Sequence, residues 1–162
     1  MSEENGVFAK TEDMESALSD KVQKSDEEKF LIFRSSNILY AMSTDYVNEI
    51  FTSVDITRVP MVPDYIAGVI NLRGAVVPII DFRLLLGRYP GEESNAIILN
   101  IGETIIGILV DGVDVMVDIS KSHILPVPSQ NEHRLVSGMC TVPGLTSTVM
   151  VLDGASLIHA NE

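Results

Sequence analysis

The chain predicts an all-β fold built from two related five-stranded units that share one apolar interface. Three observations carry this. From Phe30 onward, short β-branched and apolar runs are broken by Gly, Pro, Asn and Asp, the pattern of a barrel or sandwich. The two halves of that region repeat. Each half is small for an independent core, so the pair is expected to pack face to face and bury a common surface.

Ten runs read as strands. FLIFR, ILYAM, YVNEIF, AGVINL and AVVPII fill the first half, and AIILNI, TIIGILV, VDVMVDI, VSGMCTV and STVMVLD the second. The repeat appears when the halves are slid past each other. Asp45 and Asp111, Val47 and Val113, and Pro60 and Pro126 are each 66 positions apart. The offset grows to 70 at Gly68 and Gly138 and at Gly74 and Gly144, and to 72 at Asp81 and Asp153. The insertions fall in polar stretches, where loop length is easily changed. The units span about 30–88 and 95–160, within a domain of 30–160, and GRYPGEES joins them.

Helices are minor. Asp81 before FRLLL and Gly87 reads as an N-cap, a turn or two of helix and a glycine stop, and Asp153 before ASLIH repeats the signal. Val62-Pro63-Asp64-Tyr65-Ile66 is a further single turn started by Pro63. Residues 1–29 hold nine acids against four lysines and read as a solvated, disordered tail. Met14, Leu18 and Val22 recur there at helical spacing, too thin a stripe to define a partner-binding helix.

Charge and composition exclude several classes. A net charge of −12 opposes nucleic acid and anionic membrane surfaces. The single Cys140 forbids an intramolecular disulfide, and neither a signal peptide nor a membrane-spanning run is seen. A cytoplasmic protein without membrane insertion is expected. His123, His133 and His159 have no ligand-spaced partners, so no metal is expected. Asp111, Asp114 and Asp118 alternate with valines as on a solvated strand face, unlike a calcium loop. Cys140 lies in an apolar strand with no base nearby. No nucleophile elbow, phosphate loop or dinucleotide fingerprint occurs, so neither catalytic residues nor a cofactor are expected. Protein recognition is the remaining class, with a small-ligand-binding β-barrel sensor as its rival.

The stretch GVINLRGAVVPIIDFR stands apart, because Arg73 interrupts an otherwise apolar run between Asn71 and Gly74. With Tyr46-Val47-Asn48-Glu49-Ile50 and Val59-Pro60 before it and Gly107-Ile108-Leu109-Val110-Asp111-Gly112-Val113 after it, the stretch resembles the CheW family of bacterial chemotaxis coupling proteins. The likeness runs from Lys29 to Ile158. It implies two intertwined SH3-like barrels and a scaffold that bridges chemoreceptor cytoplasmic tips and the regulatory domain of the histidine kinase CheA, in arrays where other CheW-like proteins can also be neighbours. The pathway could be flagellar, twitching or another chemosensory one. By this resemblance, receptor and kinase contacts fall on Val47, Glu49, Ile50, Gly68 and Arg73, and on Asp111, Val113 and Asp114 in the second repeat, while Gly74 and Gly144 shape turns. Arg73 has no charged counterpart, since Pro143 occupies the matching position. Glu49 is the carboxylate expected to pair with it.

Overall fold

In the computed structural model, residues 26–89, 91, 95–127 and 135–158 are described. Met14, Leu18, Val22, His133 and His159 lie outside them. Eleven strands form two sheets: β1 (Glu27–Ser35), β2 (Ile38–Ser43), β3 (Val47–Phe51), β4 (Ile66–Leu72), β5 (Ala75–Asp81), β6 (Asn95–Ile101), β7 (Thr104–Val110), β8 (Gly112–Ser120), β9 (Leu125–Pro126), β10 (Val136–Thr141) and β11 (Thr148–Leu152). One short helix, α1 (Phe82–Leu85), follows β5. β1 starts inside the stretch expected to be tail: Glu27, Glu28 and Lys29 pair with Ser120, Ile119 and Asp118. Their polarity suits an end of the sheet that faces water.

The first sheet runs β8-β1-β2-β11-β10-β9 and the second β3-β6-β7-β5-β4. Strands that correspond by the repeat occupy the same place in each order. The repeats nevertheless do not pack as separate face-to-face units. Each sheet takes strands from both: β1 and β2 join β8 to β11, and β3 to β5 join β6 and β7. Strands β5 and β7 pair in parallel, as do β2 and β11, and with the antiparallel pairs β1–β8 and β3–β6 these seams are where the repeats interlock.

Burial explains the continuous apolar runs. Leu31, Phe33, Tyr40 and Met42 of the first sheet and Ile97, Leu99, Ile101, Ile106, Ile108 and Val110 of the second form one central core. The alternate residues Phe30, Ile32 and Ala41 face a core inside the first barrel, and Ala96, Ile98 and Leu109 one inside the second. Strands β1, β2, β6 and β7 are thus covered on both faces, so they carry no polar alternation. Phe33 and Tyr40 stack at the centre and Phe82 meets both edge-on, with ring centroids 4.9–5.5 Å apart.

The helix signals have a physical basis. The Asp81 carboxylate accepts from the amides of Arg83 (3.1 Å) and Leu84 (3.3 Å), and Asp153 accepts from that of Ala155 (3.2 Å) to start a 3-10 turn. Residues 62–66 form a turn closed by the Ile66 amide on the Pro63 carbonyl, 3.0 Å, without a helix.

Candidate functional site

The second barrel closes through backbone. Thr57 and Val69 exchange amide-to-carbonyl hydrogen bonds of 2.9 and 2.8 Å, joining the segment after β3 to β4. Gly68, beside this bridge, has φ +151, and a Cβ there would sit 2.3 Å from the Thr57 carbonyl oxygen. Gly68 is buried. It was expected among the contact residues; in the fold its absent side chain lets the closing segment approach. Gly138, its counterpart, does the same for β9 in the first barrel, where a Cβ would lie 2.8 Å from the Leu125 carbonyl oxygen.

At the tip of the β4–β5 hairpin, Leu72 pairs with Ala75 and only Arg73 and Gly74 lie between. Their φ angles are +53 and +89, the pattern of a type I′ turn that matches strand twist. Asn71 Oδ1 accepts the Gly74 amide at 2.9 Å and fixes the turn. Arginine is an unusual occupant of the first position, which favours Asn or Gly. Its guanidinium extends to β3, where Nη2 is paired with Glu49 Oε1. Arg73 is 72% exposed and Glu49 22%.

Strand β3 sets the other half of this surface. A bulge between Val47 and Glu49 leaves Asn48 as the extra residue against β6. Val47 then packs against the central core, while Ile50 stays exposed. Val76, beside the hairpin tip, is also exposed. The second barrel thus carries the Glu49–Arg73 ion pair, with Ile50 next to Glu49 on β3 and Val76 three residues after Arg73 exposed on the same barrel.

The residues named in the second repeat do not gather in the same way. Val113 packs against the central core. Asp114 is paired with Arg34 of β1, Oδ1 to Nε 3.0 Å. Asp111 is not on a solvated strand face: it lies between β7 and β8, only half-buried, and its carboxylate holds Arg83 Nε at 3.0 Å and Nη2 together with the Ser36 amide at 2.9 Å. Where the second barrel has Glu49 and Arg73, the first has Val115 and Pro143. Proline cannot adopt positive φ, so the two-residue Arg73-Gly74 turn is not repeated here: the β10–β11 connection runs longer, and its extra residues follow Gly144 (φ +90), at the repeat insertion near Thr146.

Among the described residues, no three His, Cys, Asp or Glu side chains gather as a metal set, and no helix is long and apolar enough to cross a membrane. Cys140 is buried, and burial pushes its thiol pKa up, away from the thiolate.

A family model described as a CheW-like domain matches residues 29–162. The chemotaxis protein CheW of Klebsiella aerogenes is 38% identical over 104 residues, 62% of this chain and 63% of that protein. The chemotaxis protein CheW of Rhizobium meliloti is 31% identical over 131 residues, 77% of this chain and 84% of that protein. The crystal structure of the scaffolding protein TtCheW from Thermoanaerobacter tengcongensis matches with a TM-score of 0.73 at 27% identity, covering 80% of this chain and 91% of that one.

Proposed function

The chain belongs to the CheW-like family, and from that premise we propose that it is a non-catalytic scaffold of chemosensory signalling arrays, coupling chemoreceptor cytoplasmic tips to the regulatory domain of the histidine kinase CheA. The relatives named above, chemotaxis and scaffolding proteins, support the reading. Recruitment to receptor arrays at the membrane follows from it. The observation that carries the residue assignment is the Glu49–Arg73 pair. It sits on an exposed face, occurs in one barrel only, and holds an arginine in a backbone conformation that this residue type seldom adopts.

An exposed pair of this kind adds only about 0–1 kcal/mol to folding, so its service is to orient a recognition surface. Ile50 and Val76, exposed on the same barrel, offer the apolar contact that an interface core needs. The test is co-sedimentation or pull-down of the full chain with a receptor cytoplasmic fragment and with the isolated CheA regulatory domain, wild type against Arg73→Ala. Weakened capture of either partner by a folded variant supports the assignment. Unchanged capture of both removes it.

A further inference from the structure

The chain passes between the two sheets twice. Strand β2 leads into β3 through residues 44–46, and β7 leads into β8 through Asp111 alone. The repeat makes these crossovers counterparts, with Asp45 matching Asp111. Their chemistry differs. Asp111 is held from both barrels: Arg83 comes from α1 beside the second sheet, while the Ser36 amide belongs to the β1–β2 turn of the first. Its own amide donates to the Arg34 carbonyl at 3.0 Å, and its carbonyl accepts from Asn95 Nδ2 of β6 at 3.5 Å. At the other crossover Asp45 is exposed and has no ion pair among the described residues; Ala155 stands where Arg83 would be. There Tyr46 fills the space left by Gly154, where a Cβ would lie 2.6 Å from its ring.

We propose that Arg83 and Asp111 form an inter-barrel latch: a positioning pair that fixes the rotation of one barrel against the other and so sets how the faces of the two barrels are presented together. The central apolar core draws the sheets together, but apolar contact is non-directional. A forked arginine–carboxylate contact is directional. It has the place to act, because Asp111 is one of the two points where the chain itself joins the barrels. Both side chains are about one-fifth exposed, 22% and 21%, against 53% and 29% for Arg34 and Asp114, so solvent and salt weaken the latch less. The latch sets the angle between the barrels whatever partners the faces engage.

The experiment reads that angle directly. In the full chain, Cys140→Ala removes the native thiol, and Glu103→Cys and Thr146→Cys carry spin labels on exposed turns of the second and first sheets. Double electron–electron resonance is recorded for this parent, for Asp111→Asn and Arg83→Gln, and for Arg34→Gln as a control confined to the first sheet. Asn keeps an oxygen for the Ser36 amide, and circular dichroism establishes that each variant is folded. The latch predicts one narrow distance peak in the parent and the control, and its broadening or displacement in both latch variants. An unchanged peak in folded latch variants overturns the proposal, as does equal broadening in the control. If a neutral variant fails to fold, Arg83→Lys decides, since it keeps the charge and loses the fork: a displaced or broadened peak supports the latch, and an unchanged one overturns it.

Discussion

Arg73 at the tip of the β4–β5 hairpin is ion-paired with Glu49 on β3, 24 residues away in sequence. Two elements at opposite ends of the second sheet's strand order are thereby tied on the surface, above the backbone bridge that closes the barrel.

Because Arg73 occupies a left-handed turn position, fold and function should separate cleanly on substitution. Arg73→Asn places a favoured residue at φ +53 and should hold or raise stability by up to about 1 kcal/mol, while weakening capture of receptor or kinase. Arg73→Ala or Arg73→His should leave thermal unfolding nearly unchanged and weaken capture likewise. A fall in melting temperature with intact binding would reverse the assignment.

The glycines should differ in cost. Gly74 has φ +89, but a methyl group there would meet nothing within 4 Å, so Gly74→Ala should cost about 1–2 kcal/mol from backbone conformation alone. Gly68→Ala adds a collision with the Thr57 carbonyl and should cost about 2–4 kcal/mol. Urea unfolding of the two variants gives the order, and equal costs would contradict the closing role of Gly68.

Ser35 is 1% exposed, and its hydroxyl has no hydrogen-bond partner among the described residues. Leaving such a group unsatisfied costs about 1–3 kcal/mol. Ser35→Ala should therefore raise the melting temperature, and a lower one would mean that the hydroxyl is satisfied in solution.

Tyr40 links ionisation to stability. Burial raises its phenol pKa above the ordinary 10.0, with Arg88 opposing weakly. The folded state therefore holds the proton more tightly than the unfolded chain does. Its contribution is complete below about pH 10 and is lost as pH rises through the raised value. Denaturant unfolding between about pH 8 and about pH 11.5, a window that brackets the ordinary phenol value, should show stability falling at the alkaline end, and Tyr40→Phe should fall less. Parallel declines would point to other groups.

Much of this was legible in the chain. All ten strand runs form strands, because double-sided burial and turn chemistry leave local marks that need no partner to be read. The Asp81 cap and the Arg73-Gly74 turn are local too, each set by residues within a few positions. The surroundings of Gly68 and Asp111, both expected on a contact surface, were not legible for the opposite reason. What covers Gly68 is the Thr57 carbonyl, and what occupies Asp111 is Arg83 and Ser36, none of them a sequence neighbour.

By itself, the sequence determined an acidic, doubled all-β chain, since periodicity, turn residues and the 66-residue offset are properties of local chemistry repeated along it. Tertiary structure decided which strands share a sheet. A repeat in sequence is equally compatible with two separate units and with two that exchange strands, and the pairing of β5 with β7, β2 with β11, β1 with β8 and β3 with β6 selects the exchange. The same pairing makes Asp111 a crossover, places Arg83 against it, and leaves Arg73 and Glu49 together on the outside.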